Sequence, residues 1–251
     1  MTTVALLADP PRPGLVLPDL AETSPLTDAE SADFYAAMLQ DAARAVERSG
    51  GDLLVNYRPD DILPEEHVTD TASEAEVRAL VAGALEDPSE ARYEPQVGST
   101  LSARAGNTVS HLLREEGVQS VAVVRGNVPF LPRTVVDSAA MKLRSTPTIL
   151  GPATGGRVYY AAFADTLDFD EAFTDPEVET LTERSLDAGN EVDFVPMHPT
   201  VEAGEDLLTA LPALTARKRA GRLVPEHVSQ FLGETGLAVV HEDGESRVTR
   251  R

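Results

Sequence analysis

The chain of 251 residues has no cysteine and only two lysines, Lys142 and Lys218. Without a thiol there is no disulfide, no thiolate nucleophile and no cysteine metal site. Other absences narrow the chemistry further. The sequence has no G-x-x-x-x-G-K-[ST] phosphate loop, no G-x-G-x-x-G behind its first apolar run and no G-x-S-x-G elbow. No local feature supports serine–histidine–aspartate catalysis. His67, His111, His198, His227 and His241 show no H-E-x-x-H or comparable spacing, so each reads as a surface or satisfied interior residue. No apolar run reaches transmembrane length, and no membrane insertion is expected. The opening MTTVALLADPP lacks a basic leader followed by a long apolar stretch, and a cytoplasmic protein is expected.

Charge is the strongest feature of what is present. Asp and Glu number 42 against 21 Lys and Arg, a formal net charge of -21. Such a surface repels nucleic acid and anionic lipid over a Debye length of ~10 Å at ~0.1 M salt, falling to ~3 Å at ~1 M. We therefore expect a halophilic, acidic protein in which carboxylates and arginine replace lysine and keep the surface hydrated. Equal stability in dilute buffer and in molar KCl would contradict this. With 42% hydrophobic and 25% charged residues, the chain can bury a sizeable core. The expected organisation is an α/β domain over residues 1–215 with a C-terminal helix and hairpin extension over residues 216–251.

Periodicity predicts the elements. Residues 4–8 form a short continuous apolar run stopped by Asp9 and two prolines, as a buried parallel strand would. A proline-rich loop follows. Thr27 with Glu30 three residues on is a capping-box signal, and Phe34, Met38, Ala42 and Val46 recur at helical spacing behind it. Strands are predicted over 53–57, 120–124, 148–150, 158–163 and 192–195, and helices over 74–85, 100–116, 132–143, 176–188 and 202–214. Arg217, Lys218, Arg219 and Arg222 follow the last of these helices. They read as complements of its negative end, with anion binding as the alternative. Residues 237–241 and 246–248 predict a hairpin turned by Asp243-Gly244.

The stretch TPTILGPATGGRVYY, residues 146–160, joins an apolar run to an aromatic one through a turn. Gly151 and Pro152 punctuate the end of a strand, while Gly155 and Gly156 permit backbone angles or close approaches that a side chain forbids. An ordinary hairpin and a ligand-docking backbone are both open readings.

Taken in order, several segments resemble the small GT-A-type glycosyltransferases that include the arsenosugar-biosynthesis branch. VALLADPPRPGLVLPDL is similar to the family's first strand and phosphate loop, and LTDAESADFYAAMLQDAARAV to its first helix. QVGSTLSARAGNTV carries Gln96, Gly98 and Arg104 at family positions. VAVVRGNVPFL resembles the strand that ends in glycine, a variable residue, aspartate and proline. GPATGGRVYYAAF resembles a loop with G-P-A, an aspartate and two glycines, and TVEAGEDL a closing D-V-D-x-x-E-D-L type segment. The resemblance runs from about Val4 to Leu211. It implies a Rossmann-like three-layer sandwich with a mixed, mainly parallel sheet, binding a nucleotide-sugar across the carboxyl ends of the strands with Mg²⁺ or Mn²⁺ on the diphosphate.

On that resemblance Arg12, Gly14, Gln96 and Arg104 contact the nucleotide, Asn127 and Glu202 approach the metal, and Gly155 and Gly156 border the acceptor. The sequence departs from the family where charge matters. Where the family has lysine, threonine and arginine after Pro-Gly, this chain has Leu15 and Val16, followed by Leu17, Pro18 and Asp19. At an effective dielectric of ~20 a unit pair at ~4 Å is worth ~4 kcal/mol, so this loop is expected to bind diphosphate weakly. Arg12, Arg125 and Arg157 lie in loops that could substitute. Asn127 and Thr154 replace aspartates, leaving Glu202, and more remotely Asp9, for a hard cation. Glu202 reads equally as a solvated helix-start carboxylate. The expected function is a glycosyltransferase-like protein with a degenerate donor and metal site. The alternatives are a noncatalytic protein that binds a metabolite or partner, and a nucleotidyltransferase of the phospholactate guanylyltransferase type.

Overall fold

Every residue of the first strand, β1 (Thr2–Ala8), is buried, because it lies between two parallel neighbours and beneath helices on both faces. Val4, Leu6 and Ala8 point into one apolar cluster and Ala5 and Leu7 into another. A two-residue period feeding two cores is what makes the sequence an unbroken apolar run. The computed structural model describes residues 1–242 and 244–251.

Chain order continues with α1 (Pro18–Thr23), α2 (Asp28–Glu47), β2 (Asp52–Tyr57), α3 (Ser73–Ala82), β3 (Arg92–Pro95), α4 (Leu101–Arg114), β4 (Ser120–Arg125) and α5 (Arg133–Lys142). Then come β5 (Thr148–Pro152), β6 (Val158–Phe163), α6 (Glu177–Asp187), β7 (Val192–Phe194), α7 (Gly204–Arg219), α8 (Glu226–Thr235), β8 (Leu237–Glu242) and β9 (Glu245–Arg250). Seven strands form one sheet in the order β3-β2-β1-β4-β6-β5-β7. β6 runs antiparallel to both β4 and β5, and the remaining neighbours pair in parallel. The sheet is therefore mixed and mainly parallel, as expected.

Helices cover both faces. Phe34, Met38, Ala42 and Val46 of α2 join Val135 and Val136 of α5, Leu207 and Leu211 of α7 and Phe231 of α8 in the first core. Ala105, Val109 and Leu112 of α4 and Leu181 of α6 enter the second. The α2 capping box forms as read: Glu30 N–H donates to Thr27 Oγ1 at 3.2 Å and the Glu30 carboxylate accepts from Thr27 N–H at 2.9 Å.

Three elements differ from expectation. The proline-rich loop contains α1, with Leu17 in the left-handed region at φ 51 just before it. β3 was not anticipated, because RYEP is polar and lies at the sheet edge, held by backbone pairing to β2. α7 runs further than predicted, so that Arg217, Lys218 and Arg219 fall in its own last turn, where cations complement the helix dipole.

The glycine turn after β5 closes an antiparallel hairpin with β6 through a single 3-10 turn, Thr154–Gly156. β8 and β9 also pair as a hairpin. Of its expected Asp243-Gly244 turn, Asp243 lies outside the described residues. The C-terminal elements pack on the body. Phe231 stacks on Phe34 with ring centroids 4.9 Å apart, and the buried Asp41 carboxylate accepts from the N–H groups of Glu226, His227 and Val228 at 3.0, 3.1 and 2.8 Å.

Candidate functional site

Parallel strands bring their carboxyl ends to one edge of a sheet, and a crevice opens there where neighbouring connections diverge. Here a cavity of about 260 Å³ lies over the ends of β1, β3 and β4. Leu7 and Asp9 come from β1 and its exit, Gln96 follows β3, and Arg125, Gly126 and Asn127 end β4. The loop carrying Leu15, Val16, Leu17, Pro18 and Asp19 forms one wall, Tyr35 of α2 and Leu101 and Arg104 of α4 add to it, and Glu202 closes it ahead of α7. One side is apolar and the other carries charge. Gly126 is required by proximity: a Cβ there would sit 2.4 Å from the Tyr35 hydroxyl.

The expected site residues do not all meet. Gln96, Arg104, Asn127 and Glu202 line the cavity, whereas Arg12, Gly14, Gly155 and Gly156 are outside its lining. Arg12 is 5% exposed and fully engaged. Its Nε donates to Glu76 at 3.0 Å, Nη1 to Asp60 at 3.2 Å and to the His67 carbonyl at 2.7 Å, and Nη2 to the Thr71 carbonyl at 2.8 Å. It therefore ties the loop after β1 to the segment before α3. Gly14 turns that loop at φ +76, beside His67. Gly155 and Gly156 adopt φ +72 and +79 in the hairpin turn, where Gly156 faces Pro176.

Arg157, at the end of the same turn, is also outside the lining but reaches Glu202, which closes the cavity. It donates from Nη1 to Asp206 at 3.0 Å, pairs with the same carboxylate through Nη2, and lies 3.3 Å from Glu202 Oε2. Asp206 in turn accepts from the Glu202 and Ala203 N–H groups at 2.9 and 3.1 Å, fixing the start of α7. Burial alone would raise the Asp206 pKa, but these donors hold it below the ordinary carboxylate value. Arg125 donates to Glu202 at 2.6 Å and to Glu177 at 3.1 Å. Glu177 is buried and also accepts from Val158 N–H at 2.8 Å. Burial pushes its pKa upward, against the pull of Arg125. The result is one chain of alternating charge, Glu177–Arg125–Glu202–Arg157–Asp206. Sequence reading placed Arg125 and Arg157 only in nearby loops and missed Glu177, which follows an unremarkable proline and has no local motif.

Asn127 donates from Nδ2 to Glu202 at 3.1 Å, while its Oδ1 is buried without a hydrogen-bond partner among the described residues. Thr154 Oγ1 sits 3.4 Å from Asp206. Asp9 lies 3.7 Å from Arg58, and its backbone N–H donates to the Tyr35 hydroxyl at 3.0 Å. A divalent cation does not fit this arrangement. Both oxygens of Glu202 face guanidinium groups, so a second cation would meet repulsion where it needs a free carboxylate. Among the described residues no group of three or more His, Cys, Asp or Glu is placed to hold a metal ion.

Arg104 is different from its neighbours. Its guanidinium makes one long contact, from Nη1 to the Ser99 carbonyl at 3.4 Å, and Nε is buried with no partner among the described residues. Burial depresses its pKa, partly offset by the charge of Asp9. A partly buried guanidinium with no carboxylate partner among the described residues is a ready donor for an anionic ligand.

No family model matches the sequence, and no curated protein matches it. Among solved structures the chain resembles a provisionally assigned nucleotide-diphospho-sugar transferase from Desulfovibrio desulfuricans G20, with TM-score 0.73 and 21% identity over 93% of this chain and 94% of that one. A cytidylyltransferase from Leptospira borgpetersenii serovar Hardjo-bovis (strain JB197) aligns with TM-score 0.51 and 11% identity over 93% and 94% of the two chains. At such identities the likeness establishes the fold, a Rossmann-type α/β sandwich of the kind seen in nucleotide-diphospho-sugar transferases.

Proposed function

We propose that this chain is a glycosyltransferase-like protein that binds a nucleotide or nucleotide-sugar in the cleft above β1, β3 and β4, through a donor and metal site degenerate relative to the GT-A-type family it resembles. The observation that carries this reading is the pairing of Glu202 with Arg125 and Arg157 beside an Arg104 that has no carboxylate partner among the described residues. The cleft keeps a cation for phosphate while the carboxylate that the resemblance assigns to metal is already neutralised. The resemblance to the arsenosugar-biosynthesis branch and the fold of the Desulfovibrio protein support a nucleotide-sugar as the ligand class.

The same pairing favours a second reading, binding without transfer. Departure of a diphosphate needs positive charge that grows more effective in the transition state, and here Arg125 and Arg157 are held by three carboxylates in the ground state. The nucleotidyltransferase alternative has the cytidylyltransferase fold in its favour and predicts release of pyrophosphate from a nucleoside triphosphate. Calorimetric titration of UDP-, GDP- and dTDP-sugars and of CTP and GTP, in molar KCl, tests the proposal. Binding tighter than millimolar by one of them supports it, and millimolar or weaker binding of all would remove it. Hydrolysis or transfer of a bound donor would restore the catalytic reading, and pyrophosphate release from CTP or GTP would select the third.

A further inference from the structure

We propose that a second cavity, away from the cleft, binds a small organic anion: one carboxylate or phosphate carried on an apolar body. The cavity lies between the C-terminal half of α2, the start of α5 and the connection from α7 to α8. It shares no lining residue with the cleft, so filling one does not require the other.

Arg44 and Arg48, one helical turn apart on α2, line it together with Arg133. Like charges at that spacing repel, and Asp and Glu outnumber Lys and Arg in this chain. Three guanidinium groups at one cavity therefore run against both the local and the overall charge pattern. Arg133 Nη1 donates to the Arg48 carbonyl at 3.3 Å, Arg44 Nη1 to Glu226 at 2.5 Å, and Arg48 through Nε and Nη2 to Glu86. Arg44 Nη2, Arg48 Nη1 and Arg133 Nη2 make no hydrogen bond among the described residues. Glu226 and Glu86 are 67% and 66% exposed. Ion pairs so open to water contribute little, and an incoming anion can take the place of either carboxylate. Asp41, the other carboxylate of the lining, is already satisfied by three N–H groups at the start of α8.

The rest of the lining is apolar. Phe130 and Leu131 are buried, and Leu223 is left 75% exposed. Arg217 fixes this part: its guanidinium carbon lies 4.5 Å from the Phe130 ring centroid, and its Nε donates to the Leu223 carbonyl at 3.1 Å. The basic run that ends α7 thus holds the Leu223 segment in place and adds positive charge behind the ring. A bare inorganic anion would leave the apolar side chains in water, and a neutral apolar molecule would leave the guanidinium groups unmatched. An anion with an apolar body meets both.

The test is methyl NMR of the full chain, titrated with phenyl phosphate and phenylacetate, and with inorganic phosphate and benzyl alcohol as probes that lack the apolar body or the charge. The expected result is that phenyl phosphate or phenylacetate shifts the Leu131, Leu223 and Val224 methyls. Its affinity there should exceed that of inorganic phosphate and of benzyl alcohol by about tenfold or more, and the tighter of the two shows which anion the site takes. Affinity should fall as KCl is raised toward ~1 M, where screening acts within ~3 Å. Arg44→Gln and Arg133→Gln should each weaken binding by about tenfold, the size of one charge-assisted hydrogen bond. Arg133 is 62% exposed, so its variant tests the site even where loss of the Arg44–Glu226 pair loosens α8. Shifts confined to cleft methyls such as those of Leu15 and Val16, equal binding of inorganic phosphate or benzyl alcohol at the second cavity, or parent-like binding by both arginine variants would overturn the inference. So would the absence of any shift. Each of these results leaves the nucleotide reading of the cleft intact.

Discussion

Arg125 donates from Nη2 to Oε1 of Glu202 at 2.6 Å, and this contact decides the electrical character of the cleft. The Arg125 side chain is 23% exposed and that of Glu202 33%, so the pair is neither a free surface bridge nor a sealed one. Glu202→Gln removes one negative charge from the lining and frees both Arg125 and Arg157 from one partner. Affinity for a phosphate-bearing nucleotide should therefore rise, by about three- to tenfold for one charge at partly screened distance. Titration of parent and variant at two salt concentrations checks this, with the larger gain at lower salt. A residue whose role is to ligate a metal would show the opposite, a loss.

Asn127→Asp tests the other half of the arrangement. Asn127 donates to Glu202 at 3.1 Å and is 4% exposed. Aspartate there would lose the amide donor and face the Glu202 carboxylate at hydrogen-bond distance, a repulsion that Arg125 and Arg157, already shared with Glu177 and Asp206, offset only in part. The variant should lose about 1–3 kcal/mol of stability in EDTA, and part of that should return with Mn²⁺ because an ion bound only by the folded state stabilises it. Differential scanning fluorimetry with and without Mn²⁺ measures both. The parent should show no comparable Mn²⁺ shift, and an equal shift in parent and variant would contradict the role assigned to Arg125.

Local signals carried most of the architecture. Thr27 and Glu30 fixed where α2 begins, because a capping box is written within four residues, and the apolar run of β1 announced a central strand because both of its faces are buried. β3 escaped notice, since an edge strand of four residues is held by backbone pairing and needs no apolar side chain. The site was less legible for a related reason. Arg12 was expected at the nucleotide, yet its partners Asp60 and Glu76 lie 48 and 64 residues away along the chain. Charge partners at such separations leave no mark in spacing. Gln96, Arg104, Asn127 and Glu202 were found together through a family resemblance and not through any period, and Glu177 had neither signal.

Asp41 should prove the most sensitive single position for stability outside the cleft. Its buried carboxylate accepts three N–H groups at the start of α8, from residues 185 to 187 positions later in the chain. Asp41→Ala leaves those donors without a partner beneath the Phe34–Phe231 stack, at a cost of about 2 kcal/mol or more. The unfolding midpoint should fall by about 4–8 °C, with Asp41→Asn intermediate because an amide oxygen still accepts. Asp41 is absent from the cleft lining, so nucleotide affinity below the transition should not change.

The contact between Glu30 and the C-terminal hairpin predicts an acid response with a defined window. Arg250 donates from Nη1 and Nη2 to the two oxygens of Glu30 at 2.7 and 2.6 Å. This pair, with the Thr27 N–H, lowers the Glu30 pKa from 4.5 to about 2. A carboxylate whose pKa falls on folding binds fewer protons in the folded state, so its contribution is complete above 4.5 and is lost as pH drops toward about 2. Glu30→Gln keeps an acceptor for the capping box but removes the charge. The difference in urea midpoint between parent and variant should stay constant above 4.5 and shrink steadily across that window. Because Arg250 is 41% exposed, molar KCl should narrow the difference at every pH. A gap that persists unchanged at pH 2 would show that the pairing contributes nothing through charge, and that the hairpin is held to α2 by its other contacts, including the Arg250 Nη2 bond to the Pro25 carbonyl at 2.7 Å.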